Sequence, residues 1–208
     1  MKNIIFDLGN VILNIDFNKT INAFKNIGIT DAENIYNIYK QHDFFDQFEK
    51  GLISPQDFRD NIKKISPNPL SDKMIDEAWG QMILDIPIER VNLLISLKNH
   101  YRLFLLSNTN QIHFDVYNAD FVKKYGIPCF SDLFEKAYYS FRCGLRKPDA
   151  ELFKLVLSEN DLTPAETLYI DDLTHHIKTA DSLGIQTLLL QSPDLLSSSL
   201  FEKLNEKF

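Results

Sequence analysis

Close to the start of the chain, Ile4-Ile5-Phe6 runs into a lone carboxylate, Asp7, and a glycine opens the backbone within Leu8-Gly9-Asn10-Val11-Ile12. An apolar run this short and branched, without polar alternation, reads as a strand buried on both faces, the kind found inside a parallel sheet. That feature constrains the fold more than any other. Parallel strands need crossover connections, and ligands of open α/β sheets bind beyond the strands' carboxyl ends. Asp7 is therefore expected at the floor of a site, with an Asx turn after the strand as the plainer alternative.

From Asn14-Ile15-Asp16 onward no strand is evident for about 70 residues. Phe17, Ile21 and Phe24 form a helical stripe closed by Gly28, and Asp31 caps a second helix carrying Ile35, Ile38 and Tyr39. Ser54-Pro55 is an N-cap followed by proline at the first helical position, with Phe58, Ile62 and Ile65 on one face. Ile75, Ala78, Trp79, Met82 and Ile83 make a broad amphipathic face. Residues 15–87 thus read as an all-helical insertion, in which Phe44, Phe45 and Phe48 are assigned to packing.

After Pro87 the pattern alternates. A helix marked by Ile88, Val91, Leu94 and Ile95 precedes the strand Tyr101–Leu106, and a helix with Phe114, Tyr117 and Phe121 precedes the strand Ala137–Tyr139. Phe153, Val156 and Leu157 mark the next helix, Leu168–Ile170 a strand, and Ile177, Ala180 and Leu183 another helix. Ile185–Leu190 is the last strand, and the segment from Asp194 to Phe208 reads as an amphipathic helix. The expected fold is α/β: a Rossmann-like parallel sheet with helices on both faces, formed by residues 1–14 and 88–208, plus the inserted helical cap of residues 15–87.

Four polar clusters follow the strands: Asp7, Ser107-Asn108, Arg146-Lys147 and Asp171-Asp172. Each has a dull alternative as a turn, a cap or a solvated loop, yet three sit directly at a strand's carboxyl end, where a parallel sheet brings them to one edge, and Lys147 lies a few residues further along, on the loop before a helix. Carboxylates from two strand ends suit Mg²⁺, which takes oxygen ligands. A lysine, a hydroxyl and a backbone N–H can then hold the equatorial oxygens of a phosphoryl group. An attacking aspartate divides one hard displacement into two. The net charge of −7 argues against a nucleic-acid partner and requires a bound cation or placed basic residues to attract an anionic substrate. Cys129 and Cys143 are too few for a disulfide framework or zinc site and read as buried small hydrophobes. No apolar run approaches the ~20 residues of a spanning helix and no signal peptide precedes the first strand, so a cytoplasmic monomer or weak homo-oligomer without a membrane partner is expected.

Phe6-Asp7-Leu8-Gly9-Asn10-Val11, Ser107-Asn108, Gly144-Leu145-Arg146-Lys147-Pro148-Asp149 and Tyr169-Ile170-Asp171-Asp172 resemble the four motifs of the haloacid dehalogenase superfamily, and the insertion resembles its small α-helical cap. The run from Asp7 to Phe17 is most similar to a branch of bacterial phosphatases that includes an α-glucose-1-phosphate phosphatase. The resemblance implies Asp7 as nucleophile and Mg²⁺ ligand, the Gly9 carbonyl and Asp172 as further ligands, and Asp171 as a ligand or supporting partner. Ser107 and the Asn108 backbone would bind phosphate, and Lys147 would neutralise both nucleophile and phosphate. The expected activity is Mg²⁺-dependent hydrolysis of small phosphate monoesters, sugar phosphates such as an aldose 1-phosphate among them, through an aspartyl-phosphate.

The sequence departs from the superfamily's phosphatases at Gly9, where they carry a second aspartate as general acid. Water, or Asp16 at the entrance to the cap, is the expected substitute. A 2-haloacid dehalogenase shares the nucleophile but needs no cation, which leaves Asp171-Asp172 unexplained. A non-catalytic phosphometabolite-binding protein is the remaining alternative. Among the histidines, His175 and His176 fall near the site or on the helix surface, while His42, His100 and His113 have no metal-ligand spacing.

Overall fold

The computed structural model describes residues 1–35, 43–197 and 199–201. Within them, strands β1 (Asn3–Phe6), β2 (Arg102–Ser107), β3 (Lys136–Tyr139), β4 (Thr167–Asp171) and β5 (Gln186–Leu189) form one parallel sheet in the order β3-β2-β1-β4-β5. β1 lies at the centre, in register with β2 through Phe6–Leu105 and with β4 through Phe6–Ile170. Strand order runs outward from β1 in both directions, so the crevice at its carboxyl end is the topological switch point.

Alternation along β1 explains why both faces are covered. Ile4 and Phe6 join a cluster with Val91 and Leu94 of α6 (Ile88–Leu97) and Phe114 and Phe121 of α7 (Gln111–Tyr125). Ile5 points to the other face, toward Phe153 and Val156 of α9 (Ala150–Glu159) and Ala180 of α10 (Thr174–Ser182). Ile88 and Ile95 prove exposed, at 43% and 47%, and the buried stripe of α6 is Arg90, Val91, Leu93, Leu94 and Leu97. Periodicity chose a face of this helix about one position out of phase.

Between β1 and α6 lie α1 (Phe17–Asn26), α2 (Ala32–Ile35), α3 (Asp43–Glu49), α4 (Pro55–Ile65) and α5 (Asp72–Gly80). Phe24, Phe44, Phe45, Phe48, Phe58 and Trp79 pack into a core of their own, joined from α7 by Ile112. Ring centroids of Phe58 and Phe48 lie 4.4 Å apart and those of Phe58 and Trp79 5.2 Å apart, within the range of favourable aromatic pairs. The chain enters and leaves this helical part side by side. Asn14 and Asp16 donate to the Asp85 and Met82 carbonyls at 2.9 Å each, and Ile15 bridges Ile83 antiparallel. Met82 and Ile83 therefore lie past the end of α5 rather than extending its face.

Ser54 caps α4 as its sequence implies: its Oγ accepts from the Asp57 N–H, and its own N–H donates to Asp57 Oδ2. Ser54→Ala is expected to lower the thermal midpoint by roughly 2–4 °C, read by circular dichroism. An unchanged midpoint would mean that packing alone holds this helix end.

A short helix with no counterpart in the sequence reading, α8 (Ser140–Cys143), follows β3 directly, and two further expectations are corrected. Asp194 sits in a 3-10 turn, Pro193–Leu195, so the expected C-terminal helix does not begin there; residues 199–201 are helical, and 198 and 202–208 lie outside the described residues. Cys129 and Cys143 are half-buried free thiols rather than core residues. Ile38, Tyr39 and His42 lie outside the described residues. No helix is long and apolar enough to cross a membrane among the described residues.

Candidate active site

All four polar clusters converge on the carboxyl edge of the sheet. Asp7 is the first residue past β1, Ser107 ends β2, Asp171 ends β4 and Asp172 follows it. Lys147 arrives from the loop between α8 and α9 and is 1% exposed. Its Nζ donates to Asp7 Oδ1 at 2.6 Å and to Asp171 Oδ2 at 2.8 Å. So long a side chain reaches a fixed point only if its main chain is fixed. Asn108 does this, accepting the Lys147 N–H on Oδ1 at 2.8 Å and donating from Nδ2 to the Lys147 carbonyl at 2.9 Å. The Asn108 side chain is thus spent on positioning, which leaves its backbone for a ligand. The end of β2 is tied to α8 in turn: Ser140 Oγ accepts from the Thr109 N–H at 2.9 Å and donates to the Thr109 carbonyl at 2.8 Å.

The two aspartates after β4 differ in kind. Asp171 is fully buried and surrounded by donors: Lys147, the Tyr169 hydroxyl, the Leu173 N–H at 2.7 Å and His176 Nδ1 at 2.9 Å. Burial works against its charge, but Lys147 and His176 outweigh burial and hold its pKa well below the usual carboxylate range. Burial, then Lys147, push His176 down to about 4, so a neutral imidazole donates its Nδ1–H to this carboxylate. Asp172 is half-buried and receives Asn10 Nδ2 at 3.3 Å. Burial first, then Asp171, raise Asp172 to about 6. Asp7 is pushed up to about 7, by burial above all, against the pull of Lys147 and with Asp171 and Asp172 adding to the rise. Lys147 keeps its proton, because Asp171 and Asp7 overcome the effect of burial.

This donor set fits a divalent cation. Asp7, Asp171 and Asp172 each offer an oxygen within 4.8 Å of the others, and crowded carboxylates of raised pKa are what a cation relieves. Asp171 is already engaged by its donors, which leaves Asp7 and Asp172 as the carboxylates that could hold an ion. Gly9 lines the same cavity, as do Ser107, Asn108 and Lys147. A Cβ built on Gly9 would lie 2.8 Å from Ile15 Cδ1, so Ile15 holds the space that a side chain there would enter.

Asp16 does not line this cavity. Its carboxylate accepts the Asn18 N–H at 3.0 Å as the cap of α1, so a role as proton donor has no support in the geometry. His175 and His176 both line the cavity. His100 is exposed at the opposite edge, before β2, whereas His113 is buried against the Trp79 ring at 4.5 Å. His113 Nε2 lies 2.9 Å from the Trp79 carbonyl, and Asn110 Oδ1 accepts from the His113 N–H and from Trp79 Nε1. The insertion is locked to α7 there.

A second tie had no sequence signal. Arg146 donates to Asp46 at 2.9 Å and pairs with Glu49 at 3.0 Å, both on α3, and Arg146 and Glu49 line the cavity. Past α3, Gly51 (φ 65°) passes so close to α8 that a Cβ would stand 2.0 Å from the Phe141 carbonyl oxygen.

Comparison with known proteins follows the same lines. The profile of the haloacid dehalogenase-like hydrolase family matches residues 4–190. A D-ribitol-5-phosphate phosphatase of Bacteroides thetaiotaomicron is 30% identical over 187 residues, 90% of each chain. A HAD family enzyme of the same organism, crystallised as an aspartate-to-alanine variant with magnesium and inorganic phosphate, superposes with a TM-score of 0.88 at 38% identity, covering 97% of this chain and 98% of that one. A HAD-like hydrolase structure from Porphyromonas gingivalis gives a TM-score of 0.89 at 29% identity over 99% of this chain and 98% of that one.

Proposed function

The chain belongs to the haloacid dehalogenase-like hydrolases, and from that premise we propose that it is a Mg²⁺-dependent phosphatase of small phosphate monoesters. The observation that carries this reading is the Asp7–Lys147–Asp171 chain of contacts beside Asp172. The relatives support it through a sugar-alcohol phosphate phosphatase and a structure with magnesium and phosphate. Residues 15–87 serve as the cap and the remainder as the catalytic core, a division supported by the paired chain crossings at 14–16 and 82–85.

Asp7, Asp172 and the Gly9 carbonyl would hold the Mg²⁺, which when bound neutralises charge between the carboxylate nucleophile and a dianionic ester. Asp7 attacks phosphorus and the ester P–O bond breaks. The leaving oxygen takes a proton from water, and a second water then displaces Asp7 from phosphorus to release phosphate, its proton neutralising the hydroxide left by the first. Ser107, the Asn108 backbone and Lys147 hold the phosphoryl oxygens through these steps. Asp171 keeps Lys147 charged and aimed. General acid assistance is worth roughly 10²–10⁴-fold, so without an acid at position 9 the enzyme favours esters whose alcohol leaves readily. An aldose 1-phosphate meets that condition through its anomeric oxygen, and the D-ribitol-5-phosphate phosphatase supports the wider class of sugar and sugar-alcohol phosphates.

The deciding assay is phosphate release from p-nitrophenyl phosphate and a panel of sugar and alditol phosphates, with Mg²⁺ and with EDTA. Mg²⁺-dependent release is expected. Halide release from a 2-haloacid without metal would favour the dehalogenase, and silence in both assays a binding protein.

Proton linkage gives a further test. Protonated carboxyls do not ligate, so cation affinity should rise between about pH 5.5 and 7.5 and level off above, as Asp172 (about 6) and Asp7 (about 7) ionise. Calorimetry in buffers of different ionisation enthalpy should show proton release near pH 6 that fades by pH 8. An affinity constant across that window would contradict the assignment.

A further inference from the structure

We propose that Asn10 is a positioning residue for the cation, its side-chain amide holding the Asp172 carboxylate in the orientation that ligates. The inference rests on the Mg²⁺ site proposed above and adds a residue to which no role had been given. Among the described residues other than glycine, Asn10 and Asp161 alone have positive φ, 52° and 53°. Asparagine tolerates that conformation, but glycine adopts it without strain. A side chain retained there, beside the catalytic carboxylates, therefore calls for a reason.

The turn itself does not supply one. Its closure is made by the main chain, with the Asn10 N–H donating to the Leu13 carbonyl at 2.8 Å, a bond that glycine would make equally well. What only the side chain provides is the hydrogen bond from Nδ2 to Asp172 Oδ2 at 3.3 Å, joining the turn after β1 to the end of β4 across 162 positions. Asp171 is oriented by Lys147, Tyr169, Leu173 and His176. Asp172 has Asn10 as its one side-chain hydrogen-bond donor among the described residues. Both Asn10 and Asp172 line the catalytic cavity. A donor on one oxygen fixes the carboxylate rotamer and leaves the other oxygen for the ion. Partners of this sort, which hold a metal-ligating group without touching the metal, commonly account for 10–100-fold in affinity.

The test is Mg²⁺ titration by calorimetry of metal-free wild type, Asn10→Gly and Asp172→Asn, with thermal midpoints measured without metal. Asn10→Gly keeps the backbone conformation and removes only the amide. Its Kd for Mg²⁺ is expected to weaken about tenfold, with no fall in the metal-free midpoint, and its turnover defect should lie in the Mg²⁺ concentration for half-maximal rate more than in kcat. Asp172→Asn should lose most binding. A Kd for Asn10→Gly within threefold of wild type, while Asp172→Asn is impaired, would overturn the inference alone. Wild-type affinity in Asp172→Asn would remove the metal site and the inference together.

Discussion

Replacing Asp7 by asparagine is expected to lower kcat/KM for p-nitrophenyl phosphate in Mg²⁺ by about 10⁴-fold or more, the scale of removing a nucleophile. The same variant should fold at least as well as wild type in the absence of metal. Burial holds the Asp7 carboxyl at about 7, so in the folded state it binds a proton more tightly than in the unfolded chain. The folded state therefore gains from this group as pH falls from about 7 toward the unfolded value near 4, and its ionised form is a cost above pH 7. Asparagine removes that cost and keeps the shape. Loss of activity together with a midpoint at pH 8 that is equal or higher is the signature of a residue placed for chemistry. Loss of activity with a lowered midpoint would point to a structural aspartate instead.

Lys147→Met should be the most damaging change to the fold. Removing one partner of a buried ion pair leaves an uncompensated charge and costs about 3–5 kcal/mol. Here two carboxylates lose their counter-charge, since Nζ contacts both Asp7 and Asp171. The pH dependence follows from Asp171, whose folded pKa is depressed. In wild type it contributes stability above its unfolded value that is lost as pH falls through the folded one. Without Lys147 that contribution disappears and both carboxylates take up protons. Denaturant melts should therefore show the largest deficit near pH 8 and a smaller one near pH 5.5. A deficit that is small, or constant with pH, would mean that Lys147 is not the charge that stabilises this cluster.

The sheet and the polar clusters at its carboxyl edge were legible because each rests on local pattern. Ile4–Phe6, Leu103–Leu106 and Leu168–Ile170 are apolar runs that end in polar residues, and parallel pairing does the rest. Helix ends with a chemical cap, such as Ser54, were legible for the same reason. α8 was not, because four residues between a strand and Gly144 carry no period. The ties that complete the site were equally silent. Arg146 reaches Asp46 across 100 positions and Asn10 reaches Asp172 across 162, and a single polar residue does not announce a distant partner. The cap that Asp16 makes on α1 was not weighed in the sequence, where nearness along the chain stood in for nearness in space. The division of labour between Asp171 and Asp172 needed the donors around them, above all His176 and Tyr169.

The proposed mechanism turns on transfer of a phosphoryl group to Asp7. Wild-type protein turning over p-nitrophenyl phosphate with Mg²⁺, quenched in acid and reduced with borohydride, converts an acyl phosphate to homoserine that peptide mass spectrometry can locate. Homoserine at position 7, absent when EDTA replaces Mg²⁺, is the expected result; continuing turnover with Asp7 unmodified, or homoserine at another position, would contradict it.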